Sequence, residues 1–322
     1  MDLLLTNLSS PVVLAFGLGL FARAVRSDLE IPPQIQAYLS IFLLLAIGLK
    51  GGVALRGQPP AELMLLLAMT IGAGVATTFT AYAIARRAMR DTPREAAALA
   101  AHYGSVSAVT FIAANQFVER AGDPAEGVLV ALVVALEVPA LLLGLWLGQR
   151  GLAGDRPADD TRHNTLREVF TGKTCLLLVG GLAIGAISGP GGIKAVDAMY
   201  FALFQGVLML FMIDMGMLAA GRLAGLARGW WKLALFATLV PLAHGVIGVW
   251  LGLAAGLSTG GATVFGAMLS SASYIAAPAT VRAGLPEADA GRCITAALGL
   301  TFPFNLAIGI PAYAWLAHWM AG

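Results

Sequence analysis

Apolar residues in this chain run in long unbroken stretches rather than alternating with polar ones. LLLAMTIGAGVATTFTAYAIA (65–85) and GVLVALVVALEVPALLLGLWLG (127–148) are examples. Each is close to the roughly 20 residues that a helix needs to cross the hydrocarbon of a bilayer. Only helices and closed barrels span lipid, because backbone polar groups there must pair internally. Stretches without period-two alternation select helices. Charges and Pro/Gly breaks divide the chain into ten expected spans, near 5–22, 34–55, 62–85, 95–117, 126–148, 174–190, 198–220, 232–255, 262–281 and 290–318. The first and sixth are short.

Composition agrees. Hydrophobic residues are 58% and charged residues 12%, where a soluble domain carries roughly 25% charged residues. Asp2 and the absence of a basic leader make the first apolar run a retained span rather than a cleaved signal. Cys175 and Cys293 stand alone in apolar segments without metal-ligand spacing, and read as inert thiols.

Charge then orients the chain. With the N-terminus outside, the cytoplasmic loops collect 16 of the 20 Lys and Arg residues; the outside receives only Arg56, Arg120 and Lys194, and Lys50 falls within a span. Positive charge marks the cytoplasmic side, so both termini are expected outside a bacterial inner membrane. The polar stretch 150–173, with GDRPADDTRHN, is a cytoplasmic linker between residues 1–149 and 174–322.

The two halves resemble each other. FLLLAIGLKGG (42–52) aligns with LMLFMIDMGM (208–217), GSVSAVTFIAA (104–114) with SSASYIAAPAT (270–280), and LEVPALLLG (136–144) with LTFPFNLAIG (300–309). Five spans per half inserts the second half upside down. This is the inverted-repeat plan of secondary transporters, which bind substrate at the midplane on interrupted helices.

Candidate chemistry gathers at the aligned motifs. The fourth span carries His102, Gly104, Ser105, Ser107 and Thr110, and the ninth carries Ser271, Ser273, Ala276 and Ala277. Pro278 lacks an amide donor and clashes with the preceding turn, so the ninth span should break there; Gly104 permits the same in the fourth, less forcefully. Two broken helices meeting tip to tip would turn free amides and positive dipole ends towards an anion, and the hydroxyls would add donors. The competing reading is that small residues only let helices pack closely. Lys50, Glu137 and Asp214 are charges within spans and candidates for ion coupling or charge balance with His102. Structural pairing of Lys50 with Asp214 or Glu137 is the alternative. His244 reads as a hydrogen-bonded structural histidine.

No HExxH, GxSxG, P-loop or paired Cys/His set occurs, and the basic residues are dispersed, so proteolysis, ATP-driven pumping and nucleic-acid binding lack support. The reading from another class is an intramembrane enzyme using His102 and Asp214. Otherwise the expectation is a non-enzyme needing no cofactor other than a coupling sodium ion.

At these residues the chain resembles the sodium-dependent bicarbonate transporter family nearly end to end. The resemblance is carried by IGLKGG (47–52), YGSVSAVT (103–110), EVPALL (137–142), MGMLAAGRL (215–223), PLAHGVIG (241–248), SSASYIAAPATVRAGLP (270–286) and TFPFNLAIGIP (301–311). It implies an all-α, ten-helix inverted repeat with core and gate bundles, a homotrimer, and sodium-coupled import of bicarbonate. The anion would lie between Gly104, Ser105, Ser107, Thr110, Ser271, Ser273, Ala276 and Ala277, with a sodium site near Ser107 and Ser273. The chain departs from the family where Tyr274 replaces an acid, Ala108-Val109 replace Gly-Ser, and Lys50 replaces threonine; these changes remove oxygens of the kind that hard cations use. A proton-coupled or uncoupled carrier of a small organic anion is therefore the alternative. The linker is shorter than in cyanobacterial members, which leaves a PII-like regulator open.

Overall fold

The computed structural model describes residues 8–56, 59–150, 171–223 and 230–322, all of them helices and short connections, with no strand among the described residues. The helices are α1 (Pro11–Ala24), α2 (Pro33–Leu55), α3 (Pro60–Ile84), α4 (Pro93–Gly104), α5 (Ala108–Arg120), α6 (Leu129–Gln149), α7 (Lys173–Ile193), α8 (Phe204–Leu223), α9 (Trp230–Ala254), α10 (Thr259–Leu269), α11 (Ala277–Gly284) and α12 (Ala290–Ala321). Eight stretches are long and apolar enough to cross a membrane, with α4 and α5 counted as one; α1 and α10 are shorter apolar helices.

Local chemistry explains the starts. Pro11, Pro33, Pro60 and Pro93 open α1 to α4, where a missing amide costs nothing. Ser10, Thr92, Ser107 and Ser258 cap α1, α4, α5 and α10 through their hydroxyls.

Most expected spans recur, with informative shifts. The first begins at Pro11 rather than residue 5, and residues 1–7 lie outside the described set. The seventh, expected at 198–220, opens on a π-helical turn and becomes α-helical from Phe204. The chain before it is diverted when α7 kinks at Gly189, whose φ of 63° precedes Pro190, and then passes through a tight 3-10 turn over Lys194–Val196 and a wider π-helical turn over Ala198–Ala202. The linker expected at 150–173 falls almost wholly outside the described residues.

Packing divides the helices into two groups. In one, α2 lies along α7 and α1 along α8. Their backbones touch: a Cβ on Gly48 would stand 2.9 Å from the Cα of Gly181, and one on Gly19 only 2.0 Å from the carbonyl oxygen of Ile213. The other group packs α3, α4 and α6 together, and α9, α10 and α12 together, with α5 joining α10. This second group contains both interrupted spans.

The two ends of the molecule differ in charge. At one end Arg292 pairs with Asp91 at 2.9 Å, Arg94 pairs with Glu287, and Arg23 approaches Gly221. At the other, Lys50 pairs with Glu119, and Asp123 and Glu126 bond to Thr259 and Ser258.

Candidate functional site

Both aligned spans are interrupted, each at its serine motif. α4 stops at Gly104, Ser105 is extended (φ −90°, ψ 168°), and the helix resumes at Ala108. α10 stops at Leu269, and α11 begins only at Ala277 with Pro278 in its first turn. The break expected at Pro278 is therefore present. The fourth-span break is shorter, over residues 105–107, and is present although Gly104 does not force it. Gly104 has a packing reason as well, since a Cβ there would lie 1.9 Å from Thr78 Oγ1.

The two breaks cross and are bonded to each other. The amide of Ser107 donates to Ser271 Oγ at 2.8 Å, and the amide of Ser273 donates to the carbonyl of His102 at 2.9 Å. Asn305 clamps the second break, donating to the Ser270 carbonyl at 2.9 Å and accepting from Ser270 Oγ at 3.2 Å. Tyr103 is anchored by Thr301 at 2.7 Å; because Thr301 gives its own proton to the Ala237 carbonyl, the tyrosine is the donor.

The expected ligands fall into distinct situations. Ser271 Oγ donates to the Met268 carbonyl at 2.7 Å while accepting from Ser107, so it has no proton left for an anion. Ser107 and Ser273 accept from the amides of Thr110 and Ala277 at 3.2 Å each, and neither has an acceptor for its own proton among the described residues. Ser105, which aligns with Ser271, is buried and its hydroxyl has no partner among the described residues. The alignment would pair it with the Ser273 amide, but that amide goes to the His102 carbonyl. Thr110 and Ala277 are buried beside these caps, and Ala276 occupies the N-cap position of α11.

Two more buried polar atoms lack partners. His102 donates from Nδ1 to the Ala98 carbonyl at 2.8 Å, leaving Nε2 unpaired. Tyr274 packs edge-on against Phe302 at 5.8 Å; its hydroxyl lies close to Ser107 without a well-formed hydrogen bond. A buried polar atom without a partner costs about 1–3 kcal/mol, so three at one crossing favour a ligand that would pair with them. The amides of Ala108 and Val109, at the start of α5, add donors that no helical acceptor can use, whereas in α11 the Ala277 amide already goes to Ser273 and Pro278 has none.

Lys50 is placed otherwise than its sequence suggests. It does not meet Asp214 or Glu137. It pairs with Glu119 in a cavity of about 470 Å³ at the less basic end of the molecule. Glu119 also accepts from Gln116 at 3.2 Å, Gln116 accepts from Gln205, and Gln205 accepts from Arg120 at 3.0 Å. This chain ties α2 and α8 of one helix group to α5 of the other. Glu137 and Asp214 are buried, each with a carboxylate oxygen lacking a partner, and Asp214 neighbours Gln36. His244 bonds through Nε2 to Thr80 at 2.7 Å, and its buried Nδ1 has no partner among the described residues. Both cysteines are free and buried, and no metal-binding group of His, Cys, Asp and Glu occurs among the described residues.

Sequence reasoning does not find Glu119, Gln116 and Gln205, whose contacts with α2 and α8 are remote in the chain. Asn305 carried a usable signal, being an amide inside an apolar run.

An apolar all-helical chain with two interrupted helices bonded at their breaks fits a membrane transporter. A family model for the Na+-dependent bicarbonate transporter superfamily matches residues 11–318, and the chain belongs to that superfamily. No curated protein matches the chain at a significant level.

Proposed function

We propose that this protein imports a small anion, bicarbonate being the best single candidate, with sodium as the coupling ion. The observation that carries the reading is the crossing of two interrupted helices with the buried, unpartnered hydroxyl of Ser105 beside it. An anion there would accept from Ser105, Ser107 and Ser273 and from the first amides of α5, at the positive ends of two helix dipoles. Gly104, Thr110, Ala276 and Ala277 shape this space, and Ser271 holds the two breaks together.

Energetics supports coupling. Bringing one negative charge into a cell costs about 2.3 kcal/mol per 100 mV. One co-transported cation cancels this, and a second drives accumulation. Sodium would find oxygens near Ser107 and Ser273, although Tyr274 offers a phenol where the resemblance leads one to expect an acid. That substitution favours a second reading, a proton-coupled carrier of a small organic anion.

The chain is read as two inverted five-helix repeats, 1–149 and 174–322, with both termini outside a bacterial inner membrane and three copies assembling. The pairing of α1 with α8 and of α2 with α7 supports the repeat, since an inverted duplication exchanges these pairs. The group formed by α1, α2, α7 and α8 would serve as the gate, and the remaining helices as the moving core.

The test is uptake of radiolabelled bicarbonate into proteoliposomes, with sodium and pH gradients imposed separately. Uptake driven by inward sodium at constant pH supports the proposal. Bicarbonate uptake that exceeds protein-free liposomes only under the pH gradient overturns sodium coupling, and no bicarbonate uptake above that control under either gradient overturns the substrate and leaves the second reading.

A further inference from the structure

A second cavity, of about 280 Å³, opens at the basic end of the molecule among α2, α7, α8 and the second break. Its walls bring Lys173 and Arg222 together with Gln36, Ser40 and Tyr274. Among the described residues neither cation has an acidic partner. Asp214 neighbours Gln36 but does not line the cavity. Pro33 and Lys173 are the first residues of α2 and α7, and neither helix has a side-chain cap, so two positive dipole ends reach the same space. At its inner wall stands Tyr274, 9% exposed, with its hydroxyl unpartnered. Lys173 and Arg222 are both solvent-exposed, and two like charges with two helix N-termini around one cavity make a local positive field that draws an anion.

We propose that Lys173 and Arg222 form a second anion subsite, through which the transported oxyanion passes between the crossed breaks and the cytoplasm. The identity of that oxyanion and the direction of passage rest on the function proposed above. Tyr274 belongs to both places, which makes it the hand-over point. A planar guanidinium matches the paired oxygens of a small oxyanion, and the lysine adds a compact point charge. Residues that sequence alone reads as topology anchors thus gain a role in the path.

The test reads local charge independently of transport. Full-length protein lacking its native thiols (Cys175→Ala, Cys293→Ala) carries Ala37→Cys on the cavity lining. Its modification by anionic and by cationic methanethiosulfonate reagents is timed in detergent, normalised to a free thiol. The anionic reagent should be preferred about tenfold or more, as expected for a focused positive field. Lys173→Gln with Arg222→Gln should cut that preference at least about fivefold; if the pair does not fold, either single variant should show a smaller cut. Sodium bicarbonate, against sodium chloride at equal ionic strength, should slow modification in the parent and not in the neutralised variant. Equal rates for the two reagents, or a preference unaltered by neutralisation, would overturn the subsite. A preference that collapses on neutralisation, with protection by nitrate or formate instead of bicarbonate, would uphold the subsite and contradict bicarbonate as the substrate.

Discussion

The hydroxyl oxygen of Ser271 accepts a 2.8 Å hydrogen bond from the backbone amide of Ser107, joining one helix break to the other across 164 positions of sequence. The same hydroxyl donates to Met268, so both functions of the side chain are structural. Ser271→Ala leaves the buried amide of Ser107 unpaired, which costs about 1–3 kcal/mol. The expected result is a fall of several degrees in the unfolding temperature of the detergent-solubilised protein. An unchanged melting curve would mean that the breaks do not depend on this bond.

Gly104 meets Thr78 so closely that a methyl group cannot fit, the nearest atom being Thr78 Oγ1 at 1.9 Å. Overpacking of this kind typically costs 1–3 kcal/mol, so about that much is expected for Gly104→Ala. The variant should give a reduced yield of folded protein by size-exclusion chromatography. Adding Thr78→Ala should restore part of that yield, because the clash is mainly with the threonine side chain. Normal yield from Gly104→Ala alone would contradict the packing.

The breaks were not equally legible in the sequence. Pro278 disfavours a continuous helix on local grounds, but Pro139 and Pro241 sit inside the uninterrupted α6 and α9, so proline and the aligned serine motif together marked the ninth-span break. The fourth-span break follows only by aligning 104–114 with 270–280, because Gly104 permits a bend without requiring it. The alignment also picked out Ser105, but it could not show that Ser105 lacks the partner its counterpart Ser271 enjoys. That difference arises because the His102 carbonyl captures the Ser273 amide, a contact between elements distant in sequence. Lys50 shows the same limit. Its charge within a span was visible, but its partner Glu119 lies 69 residues away, on a helix whose approach only tertiary packing decides.

The Lys50–Glu119 pair is partly exposed, with side chains 58% and 33% accessible, and exposed pairs contribute only about 0.2–1 kcal/mol. Lys50→Met should therefore fold and express normally. Because the pair bridges the two helix groups at one end, its loss should loosen that end. A cysteine at Asn115, on the lining of the same cavity, should react with an impermeant maleimide up to about fivefold faster in the variant. Misfolding of Lys50→Met, or an unchanged labelling rate, would contradict this account.

Orientation is tested by labelling in whole cells. Cysteines placed within 150–173 should react with an impermeant reagent only after the membrane is opened, while one added at the C-terminus should react in intact cells. The charge asymmetry of 16 against three basic residues demands that pattern. The reverse pattern would overturn the span count or the direction of insertion.

The central claim is that an anion binds at the crossed breaks, and Ser105 tests it most directly because its hydroxyl has no partner among the described residues. The measurement is equilibrium binding of radiolabelled bicarbonate, in sodium, to purified wild type and to Ser105→Ala. A hydrogen bond to a charged group contributes about 1.5–3 kcal/mol, so the dissociation constant should rise about tenfold or more in the variant, with the unfolding temperature of the free protein unchanged. Equal binding by the two proteins would contradict the account.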